Sequence, residues 1–352
     1  VTRIISIICL LIWGVWELEF SSAQIHDLDC PQPTPFNQSE YAAYSQPTND
    51  ILSKLFVQND TSVRSGIELI VLGTVQDAGS PHAGCKKDCC KTLFLHPDSD
   101  RMVVSLGLID HDHKKTYLFE ASPDLPRQME ILQRAADLPE VKVPNGIFLT
   151  HAHIGHYTGL MYLGRESLGS DAVPVYTMPK MTEFLKSNGP WDQLIALSNI
   201  SLRALAHETP IRLSAYLTIT PFLVPHRDEY SETVGFRIEG PNQSVLFIPD
   251  INKWHVWKRD ILEEIKNVDF AFVDATFYNN AEIPHRDMSE IPHPFVAESM
   301  ELFKILSEVD KAKVQFIHLN HTNPLLDMKS PEYHQVVRQG YQIARFGQRI
   351  SL

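Results

Sequence analysis

Leu149–Leu160, LTHAHIGHYTGL, is the stretch that decides how this chain is read. An apolar run, 146–149, leads straight into His151, His153 and His156, and Gly159 follows where a helix should begin. A buried strand holds the residues at its end in fixed positions, and several neutral imidazoles gathered there suit Zn²⁺. Residues two apart on extended backbone project to the same side, so His151 and His153 can grip one ion while a turn carries His156 to a neighbouring position. Three histidines in six residues, with more His and Asp at later strand ends, outweigh the plainer reading of surface histidines.

Outward from this stretch the chain alternates short apolar strands with helical segments, the α/β pattern. Strands are predicted at 67–72, 102–108, 116–120, 173–177, 217–224, 243–248, 270–273 and 314–317, and helices at 158–162, 179–187 and 295–306. His226 follows one strand as Pro225-His226, Asp250 ends another as Pro249-Asp250, and His318 ends a third in HLNHTNPLL. Cys85, Cys89 and Cys90 cluster in the loop DAGSPHAGCKKDCCK, 77–91, where three thiols in six residues suit either zinc or disulfides. His111 and His113 also have HxH spacing, but they sit among Asp and Lys in a turn, where solvated side chains are the default.

The motif HAHIGH followed by Tyr157, Thr158 and Gly159 resembles the HxHxDH signature of the metallo-β-lactamase superfamily. The resemblance implies an αββα sandwich, two sheets between helices, as a single catalytic domain from 67 to 352. GLMYLGRESLG and VYTMPKMTEFL are similar to the PQQ-biosynthesis protein B, and the chain resembles the branch that contains it with a tRNA 3′-processing endonuclease and the phosphodiesterase of the carbon-phosphorus lyase pathway. By that resemblance His151, His153, His226 and Asp250 hold a first zinc, and His156, Asp250 and His318 a second. Asp250 bridges the two and, with His156, is expected to carry the catalysis. The phosphodiesterase relative implies a structural zinc on Cys85, Cys89, Cys90 and His321. It also implies that the segment 278–295, with His285, Asp287 and His293, lies over the site.

One position departs from the family pattern: Gly155 stands where the superfamily carries Asp. Gly has no ligating side chain, so one zinc is expected to be secure and the second conditional, with Gly155→Asp predicted to restore it. His285 or His293 is the expected substitute if the second ion binds tightly without it. Iron is the alternative metal, since histidine-rich sites accept it as well.

Composition and the N-terminus bound the function. With 352 residues and 43% hydrophobic content, the chain can bury one large core, and a net charge of −12 argues against a broad nucleic-acid footprint. Residues 1–23 read as a signal peptide, with Arg3, an apolar core from Ile4 to Trp16 and small residues Ser21, Ser22 and Ala23, followed by a polar and partly helical segment at 24–66. The expected location is periplasmic or secreted, with no membrane association after cleavage. The sequence thus predicts an exported metal-dependent hydrolase that uses a metal-activated water on a small-molecule ester, lactone or phosphodiester. Its alternatives are an oxidative metalloenzyme like the PQQ protein, or a non-catalytic metal-binding protein.

Overall fold

The structure is a computed structural model that describes residues 65–282 and 290–352. The signal-peptide expectation at 1–23, most of the 24–66 segment, and the roles expected of His285 and Asp287 lie outside the described residues. Among the described residues no helix is long and apolar enough to cross a membrane.

The strands follow in chain order as β1 (Ile67–Gly73), β2 (Ser105–Asp110), β3 (Lys115–Phe119), β4 (Gly146–Phe148), β5 (Val173–Thr177), β6 (Ile200–Ala204), β7 (Ile211–Arg212), β8 (Thr218–Leu223), β9 (Val234–Glu239), β10 (Ser244–Ile248), β11 (Phe270–Asp274), β12 (Val314–Ile317), β13 (Gln342–Ile343) and β14 (Arg349–Ser351). One sheet runs β14-β1-β2-β3-β4-β5-β6 and the other β13-β12-β11-β10-β9-β8-β7. In each, an antiparallel part passes into a parallel part: β3, β4, β5 and β6 are parallel in the first, and β10, β11, β12 and β13 in the second.

The alternation of apolar residues explains how the layers stack. In β1, Leu69 and Val71 pack between the sheets with Phe119, Phe148, Phe236, Phe247 and Phe272, while Ile70 and Leu72 point the other way. That outer side is covered by the helices Leu125–Ala135, Pro179–Ser187 and Trp191–Ala196. On the second sheet Leu246, Ala271, Val273 and Phe316 face Ile261–Lys266, Val296–Phe303 and Pro331–Arg338. Strands buried on both faces read as continuous apolar runs, which is why they were legible in the sequence. The result is the αββα sandwich, a single domain that spans most of the chain.

Two local features shape the approach to the site. Asp124 stands at the N-cap of Leu125–Ala135, but its carboxylate makes no capping bond and instead accepts from Val103 N–H at 2.8 Å, which ties the helix start to the strand region before β2. The segment after the motif histidines is a short α-helical turn, Ile154–Tyr157, continued as a 3₁₀ helix, Thr158–Leu163. Gly159 is required there, because a Cβ would lie 2.0 Å from the carbonyl oxygen of Ser122. That close approach, with Gly159 N–H donating to Ala121 O at 2.9 Å, locks the histidine segment to the chain leaving β3.

Candidate metal centre

Strands that run in the same direction, β8 among them although it pairs only with antiparallel neighbours, deliver their C-terminal ends to one end of the sandwich. His151 and His153 follow β4, His226 follows β8, Asp250 follows β10, Asp274 ends β11 and His318 follows β12. His151 Nε2 lies 2.8 Å from His153 Nδ1, which is 3.3 Å from His226 Nε2. Asp250 Oδ2 lies 3.4, 3.9 and 3.2 Å from those same three nitrogens. Tetrahedral Zn²⁺ with bonds near 2.0–2.1 Å sets its nitrogen and oxygen donors about 3.3 Å apart, so this donor set fits one ion.

The second cluster contains a residue that sequence reasoning missed. Asp77 Oδ1 lies 2.9 Å from His156 Nε2 and 3.1 Å from His318 Nε2, and Asp250 Oδ2 is 3.9 Å from His156 Nε2. Asp77, His156, Asp250 and His318 therefore form a four-donor set, where the sequence offered three. A Cβ on Gly155 would stand 2.4 Å from Asp77 Cα and 2.7 Å from both Cβ and Cγ. The carboxylate missing from position 155 is thus supplied from the loop after β1, and the glycine leaves the room that Asp77 fills. His293 takes another place: its Nδ1 is 2.8 Å from Asp274 Oδ2 and 3.2 Å from Asp250 Oδ1.

Four of the five imidazoles, His151, His153, His226 and His318, have their other nitrogen hydrogen-bonded, while the buried Nδ1 of His156 has Glu120 nearby without a hydrogen bond. His151 Nδ1 meets Thr150 Oγ1 at 2.9 Å, and that hydroxyl donates to Glu120 at 2.6 Å. His153 Nε2 meets Glu229 at 3.2 Å, and His226 Nδ1 meets Asn252 Oδ1 at 3.2 Å. His156 Nδ1 lies 3.1 Å from Glu120 Oε1. His318 Nδ1 meets Thr276 Oγ1 at 2.9 Å, itself bonded to Asp274. An acceptor on one ring nitrogen fixes the proton there and leaves the other lone pair free for an ion. Glu120 (φ 76°) and His318 (φ 66°) both occupy the left-handed region, which costs non-glycine residues roughly 1–3 kcal/mol and is held by these contacts.

The electrostatics agree with a cation-binding role. Burial works against charge on Asp77, yet His156 and His318 hold its carboxyl well below the usual range. Burial likewise opposes charge on Asp250, and His226 and His293 hold it low. His151 is pushed down by burial and by its neighbour His156. Burial disfavours charge on His318 and His293 too, but the carboxylates of Asp274 with Asp77, and of Asp274 with Asp250, raise them to about 9 and about 10. Buried carboxylates that stay ionised among imidazoles create a demand for positive charge, which protons or metal ions can meet.

Cys85, Cys89, Cys90 and His321 also converge. The sulfur pairs 85–89 and 89–90 are 3.9 and 3.8 Å apart, and His321 Nδ1 lies 3.5 Å from Cys89 Sγ and 3.3 Å from Cys90 Sγ. Zn–S bonds near 2.3 Å place thiolates about 3.8 Å apart on a tetrahedron, whereas a disulfide needs about 2.05 Å. All three thiols are free, and burial with the nearby His82 and Lys87 pushes His321 down to about 4, which leaves a neutral ring with a lone pair. The other HxH pair is engaged elsewhere: His111 with Glu68 at 2.9 Å and His113 with Asp110 at 2.9 Å.

Glu120 lies beside His156 and reaches His151 only through the Thr150 hydroxyl, so Glu120→Gln should keep the shape of the site while removing its charge. Its affinity for metal at the His156 position is expected to fall roughly 10- to 100-fold. Competition with a chromophoric chelator measures this, and unchanged affinity would show that Glu120 does not orient His156.

The family model for the beta-lactamase superfamily domain matches residues 115–319. Coenzyme PQQ synthesis protein B of Xanthomonas campestris pv. campestris is 24% identical over 310 residues, covering 81% of this chain and all of that protein. The protein of the same name from Azotobacter vinelandii is 26% identical over 310 residues, covering 80% of this chain and 99% of its own. The fold matches zinc-bound PqqB from Methylobacterium extorquens with a TM-score of 0.65 at 21% identity, over 81% of this chain and 100% of that one. It matches a diphosphatase of the PhnP family at 0.54 and 21% identity, over 81% and 96%. The chain belongs to the beta-lactamase superfamily, and within it the chain is PqqB-like.

Proposed function

We propose that this protein is a hydrolase with two zinc ions that opens an ester, lactone or phosphodiester of a small molecule with a metal-activated water. The observation that carries the reading is the pair of four-donor clusters joined at Asp250 Oδ2. Zinc bound there supplies Lewis acidity for the reacting oxygen and lowers the pKa of water toward neutrality. The chain's own residues set the geometry for that chemistry. His151, His153 and His226 form one wall, and Asp77, His156 and His318 the other, with the tautomers of His151, His153, His226 and His318 fixed from outside by Thr150, Glu229, Asn252 and Thr276. His293 stands against both walls, its ring centroid 5.5 Å from His226 and 6.3 Å from His318. With Nδ1 turned to Asp274 and Asp250, its remaining donor is Nε2, a group suited to an oxygen that gains charge as a bond breaks.

The length-wide similarity to coenzyme PQQ synthesis protein B favours a second reading, an oxidative reaction on a redox metal such as iron. Metal analysis of protein purified without added metal, paired with assays on bis-p-nitrophenyl phosphate, a p-nitrophenyl ester and a simple lactone, separates the two. Zinc with turnover of one of these classes supports the hydrolase; iron with none overturns it.

A further inference from the structure

Two of the four donors at the second position lie on the same segments that carry the cysteine cluster. Asp77 precedes Cys85 in the loop after β1, and His318 precedes His321 by three residues after β12. The segments are laced together near the active site, where Gln76 N–H donates to Leu319 O at 2.9 Å and Leu319 N–H donates to Thr74 O at 2.8 Å. They meet again at the cysteines, where the His82 ring packs 4.5 Å from that of His321 and His82 N–H donates to Cys90 Sγ at 3.3 Å. Between these two fastenings the loop has little regular structure, since the only helix in 77–101 is the four-residue Asp88–Lys91.

The first position is built differently. His151 and His153 leave β4 and His226 leaves β8, and their outer nitrogens are held by Thr150, Glu229 and Asn252, all remote in sequence from the cysteine loop. Asp77 and His318 instead sit on the cysteine-bearing segments, although Thr276 also holds His318 Nδ1 at 2.9 Å. Asp77 projects from the irregular loop, and His318 is kept at a φ of 66° that the chain would leave if it were freed.

We propose that the Cys85–Cys89–Cys90–His321 cluster, when it holds a metal, positions Asp77 and His318 and so sets the affinity of the second active-site position, while the first position is independent of it. The cluster is then a positioning device for one half of the active site and not only a staple of the fold. The inference rests on the two-ion reading above. The competing view is that the pairing of residues 74–76 with Leu319 suffices to hold Asp77 and His318 in place.

The test uses the full chain, loaded with zinc and treated with p-hydroxymercuribenzoate, which displaces thiolate-bound ions from folded protein. After desalting, zinc is counted, and circular dichroism reports the fold. The untreated chain is expected to hold three ions and the treated, folded chain one, with dithiothreitol and zinc restoring all three. Selective loss of the thiolate-held and second-position ions supports the proposal. Three ions falling only to two overturns it, as does loss of every ion with unfolding, because positioning would then not be selective. An untreated chain that holds two ions and releases one to the mercurial has a single active-site ion, which removes the two-ion reading and this proposal with it, whereas one that holds two and releases none lacks the thiolate-held ion, which overturns this proposal and leaves the two-ion reading standing. Cys89→Ser gives an independent check: second-position affinity at least ten-fold weaker, first-position affinity unchanged.

Discussion

Gly155→Asp is expected to destabilise the protein and to empty the second metal position, the opposite of what restoring the superfamily's motif would suggest. The new Cβ would meet the backbone Cα of Asp77 at 2.4 Å, and no flexible side-chain tip is available to yield. Overpacking of this kind costs roughly 1–3 kcal/mol and sometimes more. It also places two carboxylates in one small cavity, and like charges so close cannot both stay ionised without penalty. Either Asp77 is displaced with its loop or the new side chain turns away, and in both cases the four-donor geometry is lost. Chemical denaturation should show a loss of about 2 kcal/mol or more, and metal titration one fewer ion per chain. A variant as stable as the parent, with the same number of ions, would contradict the steric argument.

The second large effect is expected at Asp250. Its Oδ2 faces His151, His153, His156 and His226, and its Oδ1 faces His293, so a single carboxylate belongs to both ion positions. Asp250→Asn keeps the volume but removes the charge that offsets two cations. Affinity at both positions should fall by more than the roughly 10- to 100-fold that loss of an outer hydrogen-bond partner costs, and hydrolysis should fall with it. Isothermal titration with zinc reads both positions. Loss of one ion alone would show that Asp250 does not bridge.

His151 and His153 were legible because they follow an apolar strand, and strands that run in the same direction bring their C-terminal ends to one side. The same logic picked out His226, Asp250 and His318 from scattered sequence positions, and the geometry brings them together. Asp77 escaped it. It lies four residues beyond the end of β1, in a loop whose cysteines claimed the reading, and only the space opened by Gly155 ties it to the motif. A glycine in place of a ligand is itself a signal that a donor arrives from elsewhere, but sequence spacing cannot say from which strand. Glu120 was hidden for a related reason: its contacts with Thr150 and the His156 ring depend on a left-handed backbone at 120, which nothing local requires. Asp274 directly follows the predicted strand 270–273, yet its contact with His293 arises only from tertiary packing.

The claim that Asp77 replaces the carboxylate absent from position 155 is tested most directly by anomalous diffraction at the zinc edge on crystals of the zinc-loaded chain. The account predicts a peak within bonding distance of Asp77 Oδ1, His156 Nε2, His318 Nε2 and Asp250 Oδ2, beside a second peak on His151, His153 and His226, and predicts that the first peak is absent in Asp77→Ala. A peak at the His156 position that persists in that variant, or one in the parent that Asp77 does not reach, would contradict it.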